Sequence, residues 1–172
     1  MIALAVLAAG ASRRFGSPKQ LAVVDGETLL HRAARVANAW ASRGDDRRAF
    51  VVLGAHLVDV DLEVVINPRW EEGIATSIHA AVRAAGDADA LLITLADQPG
   101  VSADDLERIT RIDAPVVAAA YAGTVGVPAM FHRSRFDSLL ALRGDRGAKS
   151  LLTGAATVAI PAAAWDIDVK PA

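Results

Sequence analysis

Short apolar runs alternate along this chain with longer segments in which apolar residues recur at helical spacing. Residues 90–95 form the clearest run, because Thr94 is their only polar member and Pro99 stops the run from extending further. Such runs predict strands at residues 2–8, 49–53, 63–66, 90–95, 115–121, 127–131, 157–160 and 165–168.

The segments between these runs carry the signals of helices. In residues 28–43, apolar positions that include Trp40 share one face, and arginines such as Arg32 lie on the other. Ser102 and Asp105 have the spacing of a capping box at a helix start. The predicted helices cover residues 28–43, 74–85, 102–112, 134–142 and 147–152.

The alternation of strands and helices favours an α/β fold, a Rossmann-like, mostly parallel sheet flanked by helices. A chain of 172 residues can bury one substantial core, so we expect a single domain over residues 1–172. Apolar residues make up 53% of the chain and aromatic residues only 5%. The core is therefore predicted to consist of Ala, Val, Leu and Ile between closely packed helices.

Charge and composition narrow the range of partners. A net charge of −2 disfavours nucleic acid, which would favour a basic face. The absence of cysteine excludes disulfides and thiolate metal sites. No stretch reaches about 18 apolar residues without a charge, and the N-terminal run lacks the basic lead and the length of a signal peptide. We therefore expect a cytoplasmic protein with no membrane partner.

The loop after the first strand carries the strongest chemical signal. Gly10, Ala11 and Ser12 leave little side chain in the way, so backbone N–H groups can close on phosphate oxygens. Arg14 and Lys19 add cations where a triphosphate would bind. For the glycine alone, a turn that serves only close packing is the alternative. The loop is neither a P-loop nor a G-x-G-x-x-G dinucleotide fingerprint.

Polar residues that follow strands are the other candidates, because ligands of open parallel sheets bind beyond the carboxyl ends of the strands. Asn67, Asp97 and Asp168 all occupy such positions. Two carboxylates beside a cationic loop suit a magnesium-dependent phosphoryl or nucleotidyl transfer, in which Mg²⁺ also takes phosphate oxygens from the substrate. The alternatives are that Asp97 only caps the helix after Pro99 and that Asp168 is a solvated residue.

Asp145 and the histidines give weaker signals. Asp145, set between two arginines and two glycines, is either a substrate contact or a turn residue. The histidines show no metal-ligand spacing, so we expect surface or packing roles for His31, His56, His79 and His132.

Six segments follow one another along nearly the whole chain: LAAGASRRFGSPKQL (7–21), NPRWEEGIATSI (67–78), LADQPGVS (95–102), GTVGVPAMF (123–131), GDRGAKSLL (144–152) and DID (166–168). Together they resemble the MobA-like NTP transferase family, and within it the molybdopterin cytidylyltransferases. Six ordered blocks make this resemblance more specific than any single motif.

The resemblance implies a nucleotide-diphospho-sugar transferase-like fold and transfer of a nucleoside monophosphate from an NTP to a phosphate-bearing pterin, with Mg²⁺ as cofactor. It assigns catalysis to Lys19, Arg14 and Asp97, and the metal to Asp97 and Asp168. The implied nucleotide contacts are Leu7, Ala8, Ala9, Gly10, Ala11, Ser12, Arg13, Lys19, Gly73, Thr76 and Ser77. The implied acceptor contacts are Asp145, Gly126 and Pro128.

Single positions refine this expectation. Guanylyl-transferring relatives usually have a second glycine where this chain has Ala9, which favours CTP over GTP. The chain departs from the family at Val127, where a polar residue is common, and after Asp168, where it reads VKPA instead of Thr-Pro-Glu-Asp. A molybdenum enzyme that receives the product is a further expected partner.

Two alternatives remain at this point. One is the same chemistry with GTP, or with a sugar phosphate or another small phosphate as acceptor. The other is a catalytically silent nucleotide-binding accessory protein of a molybdenum enzyme, which would bind NTP without releasing pyrophosphate.

Overall fold

The computed structural model of this chain describes residues 1–10 and 18–165. Their strands are β1 Ile2–Ala8, β2 Val23–Val24, β3 Glu27–Thr28, β4 Arg47–Leu53, β5 Glu63–Ile66, β6 Ala90–Leu95, β7 Val116–Tyr121, β8 Thr124–His132 and β9 Ala156–Ala159. Their α-helices are α1 Leu29–Ala41, α2 Ile74–Ala85, α3 Ala103–Thr110 and α4 Phe136–Leu140. Short 3₁₀ helices cover Lys19–Leu21, Trp70–Glu72, Arg133–Arg135, Ala148–Leu151 and Pro161–Ala164.

In the described part of the chain, seven strands form one sheet in the order β5-β4-β1-β6-β8-β7-β9. Strand β8 runs antiparallel to both of its neighbours, and the other pairings are parallel. The predicted α/β class, with a mostly parallel sheet flanked by helices, is confirmed. The small hairpin of β2 and β3 lies outside this sheet.

Helices cover both faces of the sheet, because alternate residues of a strand point to opposite sides. In β1, Ala5 packs in one apolar cluster with α2 and α4, whereas Leu4 packs in the other with α1 and α3. Alanine is abundant in both clusters, as the composition predicted. Among residues 1–10 and 18–165, no helix is long and apolar enough to cross a membrane.

Strands 63–66 and 90–95 and helix 74–85 have the predicted bounds, and Ser102 and Asp105 form the predicted capping box. Several other predictions were wrong in extent or type. Residues 134–142 form a 3₁₀ turn followed by the short α4, and residues 147–152 form only a 3₁₀ helix at Ala148–Leu151. Trp165 belongs to no strand, and the rest of the predicted strand 165–168 lies outside the described residues.

Two hairpins were not predicted. Asp25 and Gly26 both have positive φ and join β2 to β3, and Asp-Gly is a strong hairpin signal that the sequence offered. Ala122 and Gly123, also at positive φ, join β7 to β8, so β8 begins three residues earlier than predicted. Alanine rarely adopts positive φ, so the sequence gives little warning of this second turn.

Candidate active site

A cleft of about 440 Å³ opens at the carboxyl ends of β1 and β6. Its wall combines strand ends, the 3₁₀ helix after the first loop, the start of α2 and the turn after α4. The lining residues are Leu7, Ala8, Ala9, Gly10, Lys19, Gln20, Trp70, Glu71, Gly73, Ile74, Ser77, Leu95, Ala96, Asp97 and Asp145.

The cleft exists because β1 and β6 are parallel neighbours in the sheet. Leu7 lies opposite Leu95, and the Ala96 N–H donates to the Leu7 carbonyl at 3.2 Å. The chain therefore leaves both strands at the same edge, with Gly10 after one and Asp97 after the other. This is the edge at which open parallel sheets bind ligands.

Lys19 and Asp97 form an ion pair in this wall. The Lys19 ammonium Nζ donates to Asp97 Oδ2 at 2.8 Å, and the two side chains are 15% and 27% exposed. The second carboxylate oxygen, Oδ1, is buried and accepts no hydrogen bond from the described residues. A buried carboxylate oxygen without a donor is open to a cation, so the residue present here fits a metal ion.

In the first turn of α2, Ser77 lines the cleft, whereas the hydroxyl of the preceding Thr76 is bound to the backbone outside it. Asn67 Nδ2 donates to Ser77 Oγ at 3.0 Å and to Thr76 Oγ1 at 2.9 Å. The Thr76 hydroxyl has backbone acceptors at Arg69 and Gly73, whereas Ser77 lines the cleft. Since Ser77 Oγ already accepts from Asn67, its own hydroxyl hydrogen is available to a ligand.

Gly73 locks the start of α2 against the turn that carries Asp145. Its φ is +105°, and a Cβ there would lie 2.4 Å from the Gly144 carbonyl carbon and oxygen. The Ala75 N–H also donates to the Gly144 carbonyl at 3.0 Å. Asp145 therefore reaches the cleft because its turn packs directly on a residue without a side chain.

The charge of the described wall is mainly negative. Glu71, Asp97 and Asp145 bring three carboxylates against the Lys19 ammonium. Within residues 1–10 and 18–165, no three His, Asp or Glu side chains lie close enough to hold a metal ion on their own. A cation at Asp97 would therefore need ligands from a substrate, water or the rest of the chain, as Mg²⁺ ordinarily accepts.

The structure brings together most of the predicted site residues that it describes. Those at the cleft are Leu7, Ala8, Ala9, Gly10, Lys19, Gly73, Ser77, Asp97 and Asp145. Ala11, Ser12, Arg13, Arg14 and Asp168 lie outside the described residues.

Three predicted residues do not line the cleft. Thr76 faces the opposite side of α2, because its hydroxyl is bound to the backbone there. Gly126 and Pro128 are buried in β8, and a Cβ on Gly126 would lie 2.3 Å from the Tyr121 hydroxyl. Gly126 therefore lies in β8 under the Tyr121 side chain, away from the cleft.

Sequence reasoning missed the other lining residues, of which Gln20, Trp70 and Glu71 carry polar or aromatic groups. All three lie in segments that resemble the family, Gln20 in 7–21 and the other two in 67–78. Membership of those segments is the sequence signal that could have identified them. The Trp70 side chain packs over Gly54, where a Cβ would lie 2.6 Å from the Trp70 Cβ.

Comparison with known proteins bears on this site. The family model described as the MobA-like NTP transferase domain matches residues 4–159. This chain belongs to the MobA-like NTP transferase family. The match covers β1 to β9 and so includes every described wall of the cleft, and it supports a nucleotidyltransferase.

Two bacterial proteins are similar to this chain in sequence. The chain is 34% identical to nicotine blue oxidoreductase of Paenarthrobacter nicotinovorans, over 67% of this chain and 60% of that protein. It is 30% identical to the purine catabolism protein PucB of Bacillus subtilis, over 85% of this chain and 78% of that protein. The two names denote different processes, so they establish a family and not a substrate.

Solved structures agree on the fold. The Rv0371c protein of Mycobacterium tuberculosis is 30% identical, with a TM-score of 0.74 over 93% of this chain and 88% of that one. A structure of Rv0371c in complex with manganese is also similar, with 28% identity and a TM-score of 0.71 over the same shares. A nucleotidyl transferase from Methanothermobacter has a TM-score of 0.79 at 24% identity, over 99% of this chain and 93% of that one, which shows the fold alone.

Gly73→Ala is expected to destabilise the protein by more than the roughly 1–3 kcal/mol that a strained backbone conformation costs, because the new Cβ also collides with Gly144. Gly86→Ala is the matched control, since Gly86 also has a positive φ but a Cβ there meets nothing within 4 Å. Urea unfolding of both variants measures the difference. Equal losses of unfolding free energy would contradict the packing of Gly73 on the Asp145 turn.

Proposed function

We propose that this chain is a nucleotidyltransferase that moves CMP from CTP to the phosphate of molybdopterin and releases pyrophosphate. An oxygen of the acceptor phosphate attacks the α-phosphorus of CTP, and the bond from that phosphorus to the pyrophosphate oxygen breaks as the new one forms. The reaction needs no covalent nucleophile, so the protein's task is to position the two phosphates and balance their charge.

The Lys19–Asp97 pair at the carboxyl ends of β1 and β6 carries this proposal, in a chain whose family is that of MobA-like NTP transferases. An ammonium group in a partly buried wall is a preorganised partner for the charge on a leaving pyrophosphate. Arg13 and Arg14, which follow β1 in the sequence, are predicted to add further positive charge around the phosphates. A Cβ on Gly10 would meet nothing within 4 Å, so packing of the described residues does not explain this glycine.

The start of α2 supports a second part of the nucleotide site. Gly73, Ile74 and Ser77 line the cleft, so the positive end of the α2 dipole lies in its wall. The free hydroxyl hydrogen of Ser77 can donate to a ribose or phosphate oxygen. Thr76, in contrast, is proposed to hold the helix start rather than the ligand.

A divalent cation, Mg²⁺ in this proposal, would be held by the Oδ1 of Asp97, with Asp168 as the second carboxylate. When bound, it would neutralise negative charge on the phosphates. The manganese complex of Rv0371c is a finding on a relative that supports a divalent metal here.

CTP and a pterin acceptor are the finer parts of the proposal. Ala9 lines the cleft at the position where guanylyl-transferring relatives usually have a second glycine, and this supports CTP over GTP. Asp145, in the turn that packs on the start of α2, is proposed to contact the acceptor. We further propose a single cytoplasmic domain that passes its product to a molybdenum enzyme.

Lys19→Met is expected to lower kcat by about 10²–10³-fold, because it removes a preorganised cation that stabilises the leaving group. Pyrophosphate release at saturating NTP measures this effect. Lys149→Met, in an exposed 3₁₀ helix, is the control for loss of a lysine charge. Equal activity of the two variants would remove Lys19 from the phosphate site.

Asp97→Asn is expected to raise the Mg²⁺ concentration needed for half-maximal activity at least about tenfold, since an amide oxygen carries no charge for the cation. Activity titrated with Mg²⁺, and then with Mn²⁺, gives the measurement. Asp104→Asn, at an exposed ion pair with Arg43, should leave the titration unchanged. An unaltered requirement in Asp97→Asn would place the metal elsewhere.

Pyrophosphate release with each of the four NTPs, with and without molybdopterin, tests the reaction itself. We expect release with CTP and only when the pterin is present. Release with GTP, or with a sugar phosphate in place of the pterin, would replace the proposed substrates. Tight NTP binding without any release would instead identify a silent accessory protein.

A further inference from the structure

A second concave surface lies on the other side of α2 from the cleft. Two adjoining cavities of about 380 and 400 Å³ share Arg69, Thr76, His79 and Arg83 in their walls. Together they form what we call the basic groove, defined by these four residues and Arg143. Each cavity is within the range of about 300–1,000 Å³ that is usual for small-molecule sites.

The basic groove concentrates positive charge in a chain whose net charge is −2. Arg69, Arg83 and Arg143 approach the groove from three different segments, and Glu72 is the carboxylate in its described wall. Glu72 is engaged by Arg69 through two hydrogen bonds of 2.7 and 2.6 Å. Two guanidinium groups are thus left without a carboxylate partner among the described residues.

The two remaining arginines differ in how they are held. Arg143 is exposed, and its Nη1 donates to the Leu140 and Leu142 carbonyls, each at 2.8 Å, which orients the guanidinium. Arg83 makes no side-chain hydrogen bond or ion pair with the described residues. The α2 dipole favours a cation at Arg83, in the last helical turn, but it does nothing to bring Arg143 to the same groove.

His79 is a buried residue in the wall of the groove that the arginines line. Its Nε2 lies 3.1 Å from the Leu142 carbonyl and donates to it, so the neutral ring presents Nδ1 as an acceptor. Burial lowers the pKa of His79, the Leu142 hydrogen bond opposes that, and the charges of Arg83, Arg143 and Arg69 lower the pKa further. Arg69 is balanced by Glu72, whereas Arg83 and Arg143 bring two like charges to this groove with no carboxylate partner among the described residues.

We propose that the basic groove is a second anion site, which binds the phosphate group of a small molecule between Arg83 and Arg143. Guanidinium groups bind phosphate with two parallel hydrogen bonds, and Arg143, oriented by its bonds to the Leu140 and Leu142 carbonyls, keeps other N–H groups for such a contact. This site is separate from the cleft and does not rest on the proposed reaction.

The groove and the cleft share their dividing wall. Thr76 and His79 face the groove while Ser77 faces the cleft, and Arg143 and Asp145 flank Gly144 in one turn. Gly144 packs on Gly73 at the start of α2. A phosphate bound by Arg143 in the groove would therefore contact the same turn that places Asp145 in the cleft.

The test follows the His79 imidazole by ¹H–¹⁵N NMR in the full chain, without NTP or metal. Inorganic phosphate, pyrophosphate and glycerol phosphate are titrated against sodium chloride at equal ionic strength. We expect a saturating shift of the His79 signal and a rise in its pKa, because a bound anion offsets the arginine charges. The exposed His132 serves as an internal reference that should not saturate.

Arg83→Gln and Arg143→Gln are each expected to weaken phosphate binding at least tenfold, with Arg83→Lys weakened less. Arg135→Gln, an exposed arginine elsewhere, is the matched control and should bind as the parent does. The relative affinities of the three phosphates identify whether the site takes the free ion, pyrophosphate or an ester.

Lys19→Met separates the two sites. It should leave the phosphate affinity measured at His79 unchanged, even if the proposed reaction proves wrong. Loss of the His79 shift in Lys19→Met would mean that the cleft alone binds the anion. A shift no larger than that in sodium chloride, or one that Arg83→Gln and Arg143→Gln leave intact, would also overturn the second site.

Discussion

The parallel pairing of β1 with β6 is the constraint on which the rest of the site depends. With Leu7 opposite Leu95, the backbone leaves both strands at one edge of the sheet, although 88 positions separate the two residues in sequence. This register brings Lys19 within 2.8 Å of Asp97 and leaves Asp97 Oδ1 buried, with no donor from the described part of the chain. A shift of one residue would turn every side chain of the strand to the opposite face and dismantle the pair.

The first turn of α2 forms another wall of the cleft, with Ile74 and Ser77 among its lining residues. Asn67, buried at the end of β5, donates to both hydroxyls of that turn, so Thr76 and Ser77 have fixed and different surroundings. Gly73 lets the Asp145 turn pack directly on the helix start. One helix turn thus divides the cleft, with its carboxylates and Lys19, from the basic groove on the far side.

Much of the fold could be predicted because its strands and helices carry strong local signals. The apolar run at 90–95 and the alanine-rich helix at 74–85 have the predicted bounds, and the Ser102–Asp105 spacing forms its capping box. The family blocks likewise marked the cleft residues Gly10, Lys19, Gly73 and Asp97. Local pattern failed at the Ala122–Gly123 turn, because alanine rarely adopts positive φ. It found the helix after Arg133 but overestimated its length.

By itself, the sequence predicted the order along the chain of the seven strands in the main sheet and of the α-helices between them. It also indicated the family, and it supplied the residues that we propose balance phosphate charge. Periodicity and residue chemistry are properties of neighbours along the chain, so they are legible without a structure. Only the tertiary structure decided that Ser77 and not Thr76 faces the cleft, that Gly126 lies in β8 away from the cleft, and that three arginines converge on His79. Those outcomes depend on which side of a helix or strand meets a distant segment, and that is fixed by long-range packing.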